Sequence, residues 1–131
     1  MSVRAATVLD MSIGIAGVTI DCADPRGLAG FWTQALGYEV VQDFGGEFLF
    51  LGPPGKQQGE AVFIGLQKVP EERSGKNRLH LDFTTPERSA EVARLVGLGA
   101  VEAGEHAVPG LSWTVLRDPE GNEFCVGSTQ G

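Results

Sequence analysis

The chain has 131 residues and a mass of 13.9 kDa, which fits one domain burying about two-thirds of its unfolded surface. Ten Lys and Arg against 17 Asp and Glu give a net charge of −7, which argues against nucleic acid or an anionic membrane as partner, since basic patches hold both. No apolar run approaches the roughly 20 residues of a membrane span. The N-terminal stretch lacks a secretory apolar region, and Cys22 and Cys125 alone make no disulfide framework, so a cytoplasmic protein is expected.

Residues 1–13 read as an N-terminal extension and 14–127 as a single domain. The first predicted strand is Gly17 to Ala23. A helix follows: Asp24 is a good N-cap, Pro25 sits at the first helical position, and Gly37 can close the end left-handed. Between them Leu28, Phe31, Trp32, Ala35 and Leu36 form one apolar stripe at helical spacing. Strands are then predicted over Tyr38–Asp43, Glu47–Leu51 and Ala61–Lys68, the first two joined by Gly45-Gly46, a dipeptide suited to a tight hairpin. Pro53 to Gly59 reads as a surface loop.

The order then repeats. Arg78–Thr84 is a strand, and Thr85-Pro86 opens a helix with Val92, Ala93, Leu95 and Val96 inward, ended by Gly97 or Gly99. Strands follow at Ala100–Ala103, Leu111–Arg117 and Asn122–Val126, with His106 in a loop and Asp118-Pro119-Glu120-Gly121 as the last turn. Gly37 and Gly99 lie about 62 residues apart. The chain is thus two copies of a βαβββ unit, module one over 14–70 and module two over 76–127.

Strand parity separates core from chemistry, because alternate side chains point to opposite faces. Leu79, Leu81 and Phe83 oppose His80, Asp82 and Thr84; Ile20 and Cys22 oppose Thr19 and Asp21. Ile64 and Leu66 oppose Phe63 and Gln67, and Phe124 opposes Glu123 and Cys125. The polar faces either meet water, as in an open antiparallel sheet, or converge on a ligand within a curved sheet. His80 and Asp82 stand about 6.6 Å apart along the strand, too far for a firm direct hydrogen bond, so a ligand or water would bridge them. His80, Asp82 and Glu123 are the candidate catalytic groups, as ligand, general base or general acid. Asp21, Phe63, Gln67, Trp113 and Cys125 are candidate substrate contacts, Phe63 and Trp113 as stacking surfaces or as ordinary core. No Gly-x-Ser-x-Gly elbow, phosphate loop or Cys-x-x-Cys pair is present.

Three motifs carry a resemblance: Asp24-Pro25 with Leu28-Ala29-Gly30-Phe31-Trp32 and Ala35-Leu36-Gly37; Gly75-Lys76-Asn77-Arg78-Leu79-His80-Leu81-Asp82; and Arg117-Asp118-Pro119-Glu120-Gly121-Asn122-Glu123-Phe124. With the doubled layout, these resemble the vicinal oxygen chelate superfamily over residues 14–127. That superfamily includes glyoxalase I, bleomycin-resistance proteins, fosfomycin-resistance thiol transferases and extradiol dioxygenases. The resemblance implies an α+β fold of two βαβββ modules whose curved, mostly antiparallel sheets surround a cavity. It also implies a homodimer.

Metal-dependent members place one ligand on the first and one on the last strand of each module. Those positions fall here on Gly17, Gln67, His80 and Cys125. One imidazole, a thiol and an amide make a poor set for a hard cation. A shifted site of His80 and Glu123, with Asp82 or Asp21, would suit a divalent Zn, Ni, Mn or Fe ion. The expectation is therefore a glyoxalase/bleomycin-resistance-like protein binding a small organic molecule without an essential metal. The alternative is a metal-dependent lyase, isomerase or dioxygenase using His80 and Glu123.

Overall fold

The computed structural model describes residues 13–57 and 59–128; nearly all of the expected N-terminal extension lies outside them. Ten elements follow in chain order: β1 (Gly17–Cys22), α1 (Pro25–Leu36), β2 (Glu39–Asp43), β3 (Phe48–Gly52), β4 (Phe63–Lys68), β5 (Leu81–Thr84), α2 (Arg88–Leu98), β6 (Val101–Val108), β7 (Leu111–Arg117) and β8 (Glu123–Ser128). They build two four-stranded sheets of identical topology, ordered β1-β4-β3-β2 and β5-β8-β7-β6. In each, the first strand pairs in parallel with the last and the other pairs are antiparallel. The fold is α+β, as expected, and the two sheets stay open rather than closing into one barrel.

Local signals set the elements. Asp24 caps α1 by accepting from the Gly27 amide at 3.2 Å, and Gly37 ends the helix at φ 69°. Gly45 and Gly46, at φ 64° and 79°, turn the β2–β3 hairpin between Phe44 and Glu47, whose amide bonds the Phe44 carbonyl at 3.1 Å. On α1 the predicted stripe is buried through Leu28, Phe31 and Trp32.

Three expectations need correction. Leu79 is 66% exposed, because β5 begins only at Leu81 and leaves Leu79 off the core-facing ladder. On α2 only Val92 and Leu95 are buried while Val96 is 43% exposed; its inward stripe is narrower than the apolar content implied. The strand after α2 runs to Val108 and includes His106, since an irregularity between Glu102 and Gly104 absorbs the mismatch and pairing with β7 continues.

The two modules share one core. Trp32 of α1 lies 5.1 Å from Phe124 and 6.0 Å from Phe83, centroid to centroid, so the first module's helix packs against the second module's sheet. Three polar ties reinforce this packing. Buried Asp118 accepts from the Trp32 indole at 3.0 Å and also from the backbone amides of Glu120 and Asn122. Arg94 of α2 donates to the Gln34 and Ala35 carbonyls at the open end of α1. Glu120 then reaches back to the start of α1, accepting from the Ala23 and Asp24 amides at 2.6 and 2.8 Å.

Candidate functional site

Between the edge strand β1 and the approach to β5 lies an open cleft of about 1240 Å³. Asp21 and Gln67 line it from module one and His80 and Glu123 from module two. The first pair is adjacent because Asp21 and Gln67 are register partners in the parallel β1–β4 ladder. Glu120 lines it as well, so the clasp that joins the modules also forms part of the wall.

Asp82 and Cys125 stand behind His80. They are register partners across the parallel β5–β8 pair, which puts both side chains on the face away from the helices. His80 sits just ahead of β5, free of the ladder, and its Nε2 lies 3.3 Å from Asp82 Oδ1. The strand spacing had separated these two groups; rotation of the imidazole outside the ladder brings them together. Donor atoms of His80, Asp82 and Cys125 all lie within 4.8 Å of one another. Among the described residues this is the one group of three such donors gathered in this way.

Glu123 is otherwise engaged. Its carboxylate, with 18% of the side chain exposed, lies 3.3 Å from Arg117 Nη2 and 3.7 Å from Lys76 Nζ. Phe63 is buried, stacks on Phe50 at 5.2 Å, and leaves its ring over Gly52. Trp113 stacks on His106 at 5.5 Å. Neither aromatic is part of the cleft wall.

Burial raises the Cys125 thiol pKa, helped by the Asp82 charge, a hydrogen bond to Asp82 and the Glu123 charge. Cys22 is pushed up to about 12 by burial and by Glu120, Asp118, Asp21 and Asp24; its thiol donates to the Gln67 carbonyl at 3.6 Å. Both thiols are therefore held as neutral groups at ordinary pH.

Parity in the sequence placed His80, Asp82, Glu123 and Cys125 on one face. It missed Arg117 and Lys76 as the partners of Glu123, and the Trp32–Asp118–Glu120 clasp. The doubled strand order was the available signal, since pairing of each module's first and last strands puts Asp82 near Cys125. The register that makes them neighbours was not legible.

Residues 17–127 match the model of the glyoxalase-like domain family, and the chain belongs to that family. Among solved structures it is similar to a glyoxalase/bleomycin resistance protein/dioxygenase family enzyme from Burkholderia phytofirmans PsJN, at 20% identity and TM-score 0.71 over 88% of this chain and 99% of that one. It is also similar to a mutant of the fosfomycin resistance protein FosX from Listeria monocytogenes, complexed with Mn(II) and 1S,2S-dihydroxypropylphosphonic acid. That match has 16% identity and TM-score 0.71, covering 88% of this chain and 90% of the other. A lactoylglutathione lyase from Agrobacterium tumefaciens matches at 20% identity and TM-score 0.63, over 90% and 94% of the two chains. No curated protein matches the chain. Among the described residues, no helix is long and apolar enough to cross a membrane.

The two-module ligand set that the resemblance implies does not fit a hard cation here. Gly17 offers no donor, and a Cβ there would fall 2.7 Å from the Phe63 carbonyl oxygen, so a ligating side chain cannot enter without moving the strand. Gln67 supplies a neutral amide, and Cys125 supplies sulfur. Mn(II)-like and Mg(II)-like ions want several oxygen ligands.

Proposed function

We propose that this chain binds a small organic molecule in the cleft between its two modules, and does so without a hard divalent cation. The observation that carries this reading is the 1240 Å³ cleft, walled by Asp21, Gln67, His80 and Glu123. A concave site with a few convergent polar groups suits recognition of a small ligand. The His80 imidazole can donate a hydrogen bond, the Gln67 amide can both donate and accept one, and Asp21 favours a donor or cationic group. The metal-dependent lyase, isomerase or dioxygenase reading would need Glu123 as a ligand, and that carboxylate would first have to leave Arg117 and Lys76.

A thermal-shift screen with planar aromatic and glycopeptide antibiotics tests the proposal. At least one compound raises the melting temperature, and Gln67→Ala or His80→Ala abolishes the rise. Turnover of the methylglyoxal–glutathione hemithioacetal that depends on added Mn(II) or Ni(II) would reverse it, as would a screen with no stabilising compound.

We propose in addition that the protein works as a homodimer. In support, Phe44 is 55% exposed at the end of a row continuing through Phe48, Phe50 and Phe63 at centroid spacings of 6.2, 6.3 and 5.2 Å. Light scattering gives twice the 13.9 kDa chain mass if this holds, and the single-chain mass if it does not.

A further inference from the structure

We infer that a second pocket, across the Trp32–Phe124 layer from the cleft, binds a neutral molecule with a single aromatic ring and one hydroxyl. The site is separate from the cleft and stands whatever the cleft accepts. It has a volume of about 150 Å³ and lies where α1 and α2 meet over β5 and β8. Trp32 and Phe124 line both spaces, so these two rings are the partition between them.

The gap has a local origin in the two helices. Only Val92 and Leu95 of α2 are buried, and the last turn of α1 offers the single methyl of Ala35 at the pocket wall. Polar groups tie the helices together at the mouth instead. Arg94 donates to the Gln34 and Ala35 carbonyls at 3.2 and 2.9 Å and to the Glu91 carboxylate at 3.0 and 2.9 Å. That bridge fixes the spacing of the helices at the rim, and Ala35 is too short to fill the space beneath it.

The lining selects the ligand. Ring centroids are 6.0 Å apart for Trp32 and Phe83, 5.1 Å for Trp32 and Phe124, and 5.9 Å for Phe83 and Phe124. Aromatic pairs attract over roughly 4.5–7 Å, edge-to-face or offset, so a fourth ring can join this cluster. Apolar cavities of about 150 Å³ accept a benzene-sized molecule. Glu91 and Arg94 neutralise one another at the rim, so a charged ligand would lose hydration there without gaining a free counter-charge. Thr85, also at the wall, accepts from the Glu87 amide at 3.1 Å through its hydroxyl oxygen. Its hydroxyl proton is left to donate, and a ligand hydroxyl is the matching acceptor.

Phenol, added to isotope-labelled protein and followed by NMR, tests the inference. One phenol binds per chain, saturably. Of the two tryptophans, the Trp32 indole resonance shifts and that of Trp113 does not. Benzoate binds at least about tenfold more weakly than phenol. Ala35→Leu fills the space and weakens phenol binding by at least about tenfold, whereas Gln67→Ala, a change in the cleft, leaves it as in the wild type. Should Ala35→Leu fold poorly, intermolecular Overhauser contacts in the wild type serve instead, joining phenol ring protons to the methyl groups of Leu95 and Val126. No saturable binding, Overhauser contacts to cleft residues in place of Leu95 and Val126, equal binding of benzoate, or undiminished binding to a folded Ala35→Leu variant would each overturn it. The antibiotic screen is read through Gln67→Ala and His80→Ala, so it fails or succeeds independently of these results.

Discussion

Replacing Asp118 with alanine strikes the joint between the modules. The carboxylate is 1% exposed and accepts from Trp32 Nε1, from the amides of Glu120 and Asn122, and from Asn122 Nδ2, all at 2.9–3.2 Å. Hydrogen bonds to a charged partner contribute about 1.5–3 kcal/mol each, and a buried donor left unpaired costs about 1–3 kcal/mol. Glu120 and Asn122 are only partly buried, so water can reach their amides once the carboxylate is gone, whereas the indole of Trp32, 1% exposed, has no such recourse. Counting the indole bond and one further bond as fully lost gives a destabilisation of about 4 kcal/mol. That is a large share of the 5–15 kcal/mol typical of a domain, and it corresponds to a melting-temperature drop of roughly 10–20 °C. Urea unfolding followed by tryptophan fluorescence measures it. A double-mutant cycle with Trp32→Phe isolates the indole–carboxylate pair, with an expected coupling of about 1.5–3 kcal/mol. A loss under 1 kcal/mol for Asp118→Ala, or strict additivity in the cycle, would refute the claim that this bond holds the modules together.

Gly52→Ala puts a methyl group onto the edge of the Phe63 ring, which is pinned by stacking on Phe50; a loss of about 1–3 kcal/mol is expected in the same unfolding assay. Glu91 is held below its ordinary pKa of 4.5, first by its hydrogen bonds to Arg94. Its stabilising contribution is therefore complete above the unfolded value and lost as pH falls through the lower folded one. The wild type accordingly loses more urea resistance than Glu91→Gln as pH is taken down from about 5, and parallel profiles would contradict this. With its thiol pKa pushed up to about 12, Cys22 has a thiolate fraction on the order of one in ten thousand at pH 8. Thiol-reactive dye should label it only after denaturant is added, and rapid labelling of the native protein at Cys22 would count against the burial argument.

Much of the architecture was legible before any coordinates. Asp24, Pro25 and Gly37 bound α1 through capping chemistry that acts within one or two turns, and Gly45-Gly46 makes its hairpin for equally local reasons. The second copy of the strand-helix-strands order predicted the second sheet, and parity put His80, Asp82, Glu123 and Cys125 on one face. The exposed Leu79 and Val96 show where strand parity and helical spacing overreach, since an apolar residue at the right spacing still needs a partner surface.

Local interactions depend on residues a few positions apart, so the sequence by itself determined the helix ends, the turns, the doubled module and the division of each strand into two faces. Contacts between distant residues depend on register and packing, which only the assembled sheets decide. Trp32 meets Asp118 across 86 positions, Glu120 reaches Ala23 across 97, and Asp82 becomes the neighbour of Cys125 through strand pairing. The same pairing leaves Glu123 to Arg117 and Lys76, a choice between carboxylates that no spacing rule contains.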